Sequence, residues 1–197
     1  LRPVLDPEYW SGLYKNNDAP WDAGGITTPL KTYFDQLDNK NISILIPGAG
    51  NAYEAEYLVR SGFGRVYVCD YAGEPLKNLK ERCPEIPDDH LLHRNFFELE
   101  RKNEFDLIVE QTFFCALDVS LRRKYFEKMH ELLKPGGKLV GLLFEHDFGR
   151  EIPPFGGTRE EYLGYIGSGF KINVFKPCYN SIRPRAGREL FMNLKRI

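Results

Sequence analysis

Ile42-Ser43-Ile44-Leu45-Ile46-Pro47-Gly48-Ala49-Gly50 is the stretch from which the fold of this chain can be read. Ile42 to Ile46 is a short, mostly β-branched apolar run with the composition of a buried strand. It runs into Pro47-Gly48-Ala49-Gly50, a turn in which Gly48 and Gly50 let the backbone come close to a ligand where side chains would intrude. From Asn51 to Ser61 the apolar residues Ala52, Ala55, Leu58 and Val59 recur at near-helical spacing, and Gly62 is a suitable stop. The sequence therefore predicts a strand, a glycine turn and a helix whose N-terminal amides can meet a carboxylate or phosphate.

The same alternation extends in both directions. Upstream, the periodicity predicts a helix over Leu30 to Leu37, preceded by Tyr9 to Pro29. That segment carries Tyr9, Trp10, Tyr14 and Trp21, while Pro20, Gly24, Gly25 and Pro29 interrupt any long helix, so an aromatic, loop-rich cap is expected. Downstream, Arg65 to Cys69 reads as a second strand closing on Asp70, followed by a helix around Glu74 to Arg82. His93 to Phe97 reads as a short third strand and Phe105 to Val109 as a fourth, delivering Glu110, Gln111 and Thr112 at its end. A helix over Leu121 to Leu133, with Tyr125, Phe126, Met129, Leu132 and Leu133 on one face, stops at Lys134-Pro135-Gly136-Gly137 before a strand from Lys138 to Phe144. A Pro/Gly loop from Gly149 to Gly157 follows, and the capping-box spacing of Thr158-Arg159-Glu160-Glu161 marks a helix start. Phe170 to Phe175 and Glu189 to Leu194 complete the strands. The expected fold is α/β, a Rossmann-like doubly wound sheet, mostly parallel, with an antiparallel edge at its C-terminal end.

At 197 residues with 42% hydrophobic content, one domain is expected over residues 1–197, with a cap or lid at 1–29 and a Rossmann-like core at 30–197. Twenty-seven basic against 28 acidic residues give a net charge of −1, so no overall field favours nucleic acid or anionic lipid, and a small-molecule partner is the default. No apolar run reaches the length of a membrane span, and Leu1 to Trp10 lacks the features of a secretory signal. A cytoplasmic monomer is expected. Cys69, Cys83, Cys115 and Cys178 are scattered without a Cys-x-x-Cys pair. His90 and His93 have no second ligand pair of suitable spacing, so no metal site is expected.

Ligands of open α/β sheets bind beyond the carboxyl ends of the strands. That rule selects Gly48 to Asn51, Asp70, Asn95 and Phe96, Glu110 to Cys115, and Glu145 to Asp147. Asp70 follows Gly50 by 20 residues, the spacing at which a carboxylate accepts both hydroxyl protons of a ribose, although an Asp there also caps helices. Tyr53 occupies the last position of Gly-x-Gly-x-x-Gly, which disfavours a dinucleotide. On this reading alone, NAD and S-adenosylmethionine both remain open, as does a binding protein without turnover.

Four ordered segments, Ile44 to Gly50, Val68-Cys69-Asp70, Phe105-Asp106-Leu107-Ile108 and Leu132 to Gly137, closely resemble successive motifs of class I methyltransferases. Trp10-(x3)-Tyr14-(x6)-Trp21 with Pro20-Trp21-Asp22, the run Gln111 to Ala116, Pro153-Pro154-Phe155-Gly156 and Thr158 to Tyr162 resemble the thiopurine methyltransferase family, nearest its plant halide/thiol branch. The resemblance implies a seven-stranded sheet and S-adenosyl-L-methionine as cofactor, with S-adenosyl-L-homocysteine as product. It also implies methyl transfer to a thiol, a thiopurine-like thiolate, a related chalcogen compound or a halide. Cofactor contacts are then expected at Trp10, Tyr14, Trp21, Pro47, Gly48, Gly50, Asp70, Tyr71, Asn95, Phe96, Glu110 and Gln111. No catalytic residue is singled out, and Arg122 is expected to steer an anionic acceptor. Tyr14 and Gln111 depart from the plant branch, which carries tryptophan and tyrosine there.

Overall fold

β1 (Ile44–Pro47) is buried along its whole length, as a continuous apolar run requires. In this computed structural model, which describes residues 3–16 and 18–197, β1 belongs to the first of two compact units, Leu1–Leu99 and Glu100–Ile197. It pairs in parallel with β2 (Val66–Asp70), Ile44 opposite Val66, and β2 pairs in parallel with β3 (Leu91–His93), Asp70 opposite His93. These registers align the carboxyl ends of the three strands, placing Gly48, Asp70 and the residues after His93 at one end. The helices of this unit are α1 (Pro7–Lys15), α2 (Thr28–Phe34), α3 (Tyr53–Arg60) and α4 (Gly73–Arg82). Ala55, Leu58, Leu76 and Leu79 are buried, each leucine contributing roughly 1.5 to 3 kcal/mol.

Two expectations for this unit change. The cap segment holds a helix, α1, where a loop-rich stretch was expected. Asp6 supplies the start, its Oδ1 accepting the Tyr9 N–H at 2.8 Å, and Pro7 fits the first turn, where no N–H is needed. Of the segment 1–29, Leu1, Arg2 and Asn17 lie outside the described residues. The third strand ends at His93, not Phe97. The Asn95 Oδ1 accepts the Phe97 N–H at 3.0 Å and draws the chain into a 3-10 turn, Phe96–Glu98.

The second unit contains β4 (Phe105–Gln111), β5 (Leu133–Phe144), β6 (Phe170–Pro177) and β7 (Glu189–Arg196), in the order β4-β5-β7-β6. β4 and β5 are parallel, joined by α5 (Arg122–Leu132), which buries Tyr125, Phe126, Met129 and Leu132 as the sequence pattern required. β7 runs antiparallel to both β5 and β6. β5 begins at Leu133, earlier than expected, because a register shift between Phe105 and Leu107 takes up the Lys134-to-Gly137 turn. A Cβ at Gly137 would lie 3.0 Å from the Phe105 carbonyl oxygen, a close approach that glycine permits. α6 (Arg159–Ile166) starts at its expected cap, the Thr158 hydroxyl accepting the Glu161 N–H at 3.2 Å. The described residues thus contain seven strands, mostly parallel, with the C-terminal strand reversed, the α/β arrangement read from the sequence.

Candidate functional site

The turn after β1 turns back on itself through left-handed backbone at Gly48 (φ +54°) and Gly50 (φ +52°), while Pro47 closes the strand in the buried interior. The Gly50 N–H donates to the Asp70 Oδ2 at 3.0 Å, and the Ala72 N–H to the Oδ1 at 2.9 Å. Asp70 is 9% exposed. Burial pushes its carboxyl above the usual carboxylate range, and the amides of Ala72, Gly50 and Tyr71 pull in the opposite sense. A carboxylate offers about four acceptor positions. The three amides leave acceptor capacity on the carboxylate for a further donor. Asp70 thus both organises the turn and can accept from a ribose hydroxyl.

The aromatic segment stands over this turn. A Cβ added at Gly50 would lie 2.6 Å from the Tyr14 hydroxyl oxygen, so the glycine leaves the space that the phenol occupies. The Trp21 indole N–H donates to that oxygen at 3.3 Å. Tyr14 and Trp21 meet edge to face at a centroid distance of 5.8 Å, Trp10 and Trp21 at 5.5 Å. Burial first, then the negative charge of Asp70, raises the Tyr14 phenol well above its ordinary value and keeps it protonated. Tyr71 joins the group: the Trp10 indole hydrogen-bonds its hydroxyl, which donates to the Leu5 carbonyl at 2.5 Å. Lys15 pairs with Glu74 at 2.9 Å, fixing α1 to α4.

Sequence reasoning missed what holds Trp21 in place. Asp22 accepts hydrogen bonds from the Asn51 side-chain amide and, at 3.3 Å, from the Tyr53 hydroxyl. The Gly24 N–H closes an Asx turn on the same side chain at 2.6 Å. The Asp–x–Gly spacing after Trp21 was the available signal. Asn95 and Phe96 lie where β3 ends, with the Arg94 N–H on the Asp70 carbonyl at 3.1 Å. Phe96 is buried, and the Asn95 side chain bonds Phe97 and Glu98. Trp10, Tyr14, Trp21, Gly48, Gly50, Asp70 and Tyr71 are therefore brought together in the first unit, with Asn95 and Phe96 at the adjoining strand end.

The second unit corrects two expectations. Glu110, expected at the cofactor, is wholly buried and fully engaged. Its Oε1 accepts the Phe113 and Phe114 N–H groups at 2.8 and 2.9 Å, and its Oε2 the Tyr125 hydroxyl at 2.6 Å. It holds the turn at Thr112, whose φ is +57°. Burial raises its carboxyl to about 7. Gln111 is half-buried at the end of β4. Arg122, expected to steer an anion, is 1% exposed. Its guanidinium donates to Glu161 at 2.7 Å and to the Gly156 and Phe155 carbonyls at 2.8 and 3.4 Å, and lies 4.9 Å from the Phe114 ring centroid. These partners make it a brace for the segment before α6. Cys115 is buried, with its thiol pushed up to about 12 by burial and by the charge of Glu110, so it is no nucleophile. Among the described residues no cluster of three or more His, Cys, Asp or Glu side chains is arranged to hold a metal, and no helix is long and apolar enough to cross a membrane.

The first unit's donor set fits a nucleoside that carries an amino acid and a cationic centre. It has a carboxylate with acceptor capacity for a ribose hydroxyl, a glycine turn that a Cβ would fill, and aromatic faces beside them. Residues 5–190 match the family model for thiopurine S-methyltransferase. The chain belongs to the thiopurine S-methyltransferase family. A relative named "Probable thiol methyltransferase 2", from Arabidopsis thaliana, is 28% identical over 91% of this chain and 81% of that protein. Thiocyanate methyltransferase 1 of Brassica oleracea is 27% identical over 100% of this chain and 88% of that protein. The fold is shared with the solved structure of Burkholderia thailandensis 1,6-didemethyltoxoflavin-N1-methyltransferase with bound 1,6-didemethyltoxoflavin and S-adenosylhomocysteine. That likeness has a TM-score of 0.74 at 18% identity, covering 100% of this chain and 92% of that one. This member of the thiopurine S-methyltransferase family is accordingly an S-adenosylmethionine-dependent methyltransferase acting on a small molecule.

Proposed function

We propose that this enzyme methylates a small thiol or thiolate, with thiopurine-like thiolates, related chalcogen compounds and halides as neighbouring acceptors. The observation that carries the reading is the junction of Gly50, Asp70 and Tyr14, where a desolvated carboxylate, a glycine backbone and an aromatic cap converge. S-adenosylmethionine supplies a methyl group made electrophilic by its sulfonium sulfur. In this reading Gly48 and Gly50 leave backbone room for the cofactor's amino-acid end, and Asp70 accepts the ribose hydroxyls. Tyr71, Asn95 and Phe96 border the base. Trp10, Tyr14 and Trp21 turn aromatic faces toward a cation and exclude water.

A soft anionic acceptor fits the chemistry of the side chains. A thiolate or halide arrives without a proton to remove, so in-line placement and desolvation supply the catalysis and no base is required. Glu110 and Arg122, both buried, are bound into the second unit. The names of the plant relatives, thiol and thiocyanate methyltransferases, support the same acceptor class.

Isothermal calorimetry with S-adenosylmethionine, S-adenosylhomocysteine and NAD in parallel tests the cofactor. An acceptor screen of thiols, thiopurines and halides then follows methyl transfer by mass spectrometry. Binding of both sulfur cofactors with turnover on a thiol supports the reading. Binding without transfer to any of these acceptors overturns the proposed acceptor class, and selective NAD binding overturns the cofactor.

A further inference from the structure

Glu145-His146-Asp147, just beyond β5, has no part in the function derived so far. Its place is the carboxyl edge of the strands, where ligands of open α/β sheets bind. His146 lies two residues past Phe144 and so on the same side of the extended chain, and the Phe148 ring meets both edge to face, at centroid distances of 4.8 Å from His146 and 5.1 Å from Phe144. The backbone of His146 is fixed by the segment before α6. It bridges Gly157, and a Cβ at Gly156 would collide with its carbonyl oxygen, so glycine is what lets the two stretches close. Arg122 grips that segment through the Phe155 and Gly156 carbonyls, and the Phe155 N–H donates to the Cys115 carbonyl at 2.7 Å, joining it to the residues beyond β4.

The imidazole is half-buried, and among the described residues neither ring nitrogen has a hydrogen-bond partner. The charges around it are engaged elsewhere. Asp147 accepts the Gly149 N–H at 2.8 Å, Glu145 falls on the opposite side of the extended chain, and Glu161 is paired with Arg122 at 2.7 Å. The Arg185 guanidinium lies 5.8 Å from the Phe144 ring centroid and 3.6 Å from Glu189. An imidazole on a fixed backbone, with apolar rings beside it and both nitrogens open, is suited to taking a proton near neutral pH. A halide or a preformed thiolate has no use for such a group. An alkyl thiol does, because only a small fraction of it is ionised at neutral pH. We infer that His146 is the general base that lets this enzyme use uncharged thiols as acceptors. The thiol S–H bond breaks as its proton passes to the imidazole, and the sulfur electron pair forms the new bond to the methyl carbon. The electron pair of the broken methyl–sulfonium bond stays on the sulfur of S-adenosylhomocysteine, and the imidazolium returns its proton to water. The inference rests on the thiol acceptor proposed above and extends it to acceptors that arrive protonated.

The test compares wild type and His146→Gln on two thiols between about pH 7.5 and 8.5: β-mercaptoethanol, which is mostly protonated there, and para-nitrothiophenol, which is a thiolate throughout. On β-mercaptoethanol, the wild-type kcat/KM should stay within about twofold across the range. The variant should be about ten- to hundredfold slower at the acidic end and climb about tenfold per pH unit with the thiolate fraction. The nitrothiophenolate has no proton to lose, so both proteins should methylate it within about twofold of each other, which also shows that the variant is folded and holds its cofactor. A wild-type rate on β-mercaptoethanol that itself climbs about tenfold per pH unit overturns the inference whether or not the variant folds. Turnover of the nitrothiophenolate alone, an equal loss on both acceptors, or no loss on either also overturns it. Contact is read apart from activity. In wild type bound to S-adenosylhomocysteine, the imidazole proton NMR signal that is missing from the variant should shift when β-mercaptoethanol is added, and an unmoved signal overturns the assignment. If wild type methylates neither thiol, the proposed acceptor class itself fails, a result distinct from any effect of the variant.

Discussion

Replacing Glu110 by glutamine should make the protein's stability less sensitive to pH, with the sign fixed by the carboxylate's surroundings. In the folded chain burial raises this carboxyl from an ordinary 4.5 to about 7. Between those values the native state holds a proton that the unfolded state has released, so stability falls as pH rises through the window. The stabilisation is fully present below 4.5 and is lost as pH passes 7. At roughly 1.4 kcal/mol per unit, the group withdraws about 3 kcal/mol across the whole window. Protonated Glu110 keeps its Oε1 as acceptor for the two amides and turns an O–H toward Tyr125. Glutamine can do the same with its carbonyl and amide. Glu110→Gln should therefore match wild type near pH 4.5 and exceed it progressively up to pH 8, as measured by urea unfolding followed by circular dichroism. A stability difference that does not change with pH would refute the raised carboxyl. Cofactor affinity should be unaffected by this variant, since every acceptor of Glu110 faces its own turn and Tyr125.

Asp70→Asn keeps the shape but sets an amide N–H against one of the backbone donors at Gly50 or Ala72. Calorimetry should show S-adenosylhomocysteine binding weakened by about ten- to hundredfold, and unchanged affinity would rule out a ribose contact. Gly50→Ala places a methyl group 2.6 Å from the Tyr14 hydroxyl at a φ of +52°. A stability loss of about 1 kcal/mol, together with weaker cofactor binding, is expected from thermal melts and titration, and an unaltered affinity would contradict the close approach. Arg122→Ala should lower stability by about 3 kcal/mol, because a wholly buried side chain is emptied from the core and its bonds to Glu161 and the Gly156 carbonyl are lost. A selective rise in KM for anionic acceptors at an unchanged Tm would instead restore the steering role.

Much of the fold was legible because its signals are local. The β-branched run before Gly48, the glycine after Val59, the face of Tyr125, Phe126 and Met129, and the Thr158 cap each follow from the neighbouring chain. The errors came where one side chain redirects the backbone. Asn95 converts an apparent strand into a turn by bonding an amide two residues on, and Asp6 starts a helix that the later prolines and glycines masked. The site was half legible. Asp70 and Gly50 announced themselves by spacing, but Asp22's hold on Asn51 and Tyr53 joins residues about thirty positions apart and leaves no local trace.

Glu110 and Arg122 show a further limit. A carboxylate after one strand and a carboxylate after another look alike as letters, and both sit where ligands of such folds bind. What separates them is where the bonds of each side chain go. Glu110 meets two amides and a phenol of its own unit in full burial, and Arg122 bonds Glu161 and two carbonyls, although its Nε has no partner among the described residues. Asp70 instead bonds the glycine turn itself, beneath the aromatic segment. Because a buried polar group left without a partner costs about 1 to 3 kcal/mol, removing a side chain that braces its own unit acts on folding. The two classes are separable by experiment: substitutions at Glu110 and Arg122 should act on unfolding free energy, and those at Asp70 and Tyr14 chiefly on binding.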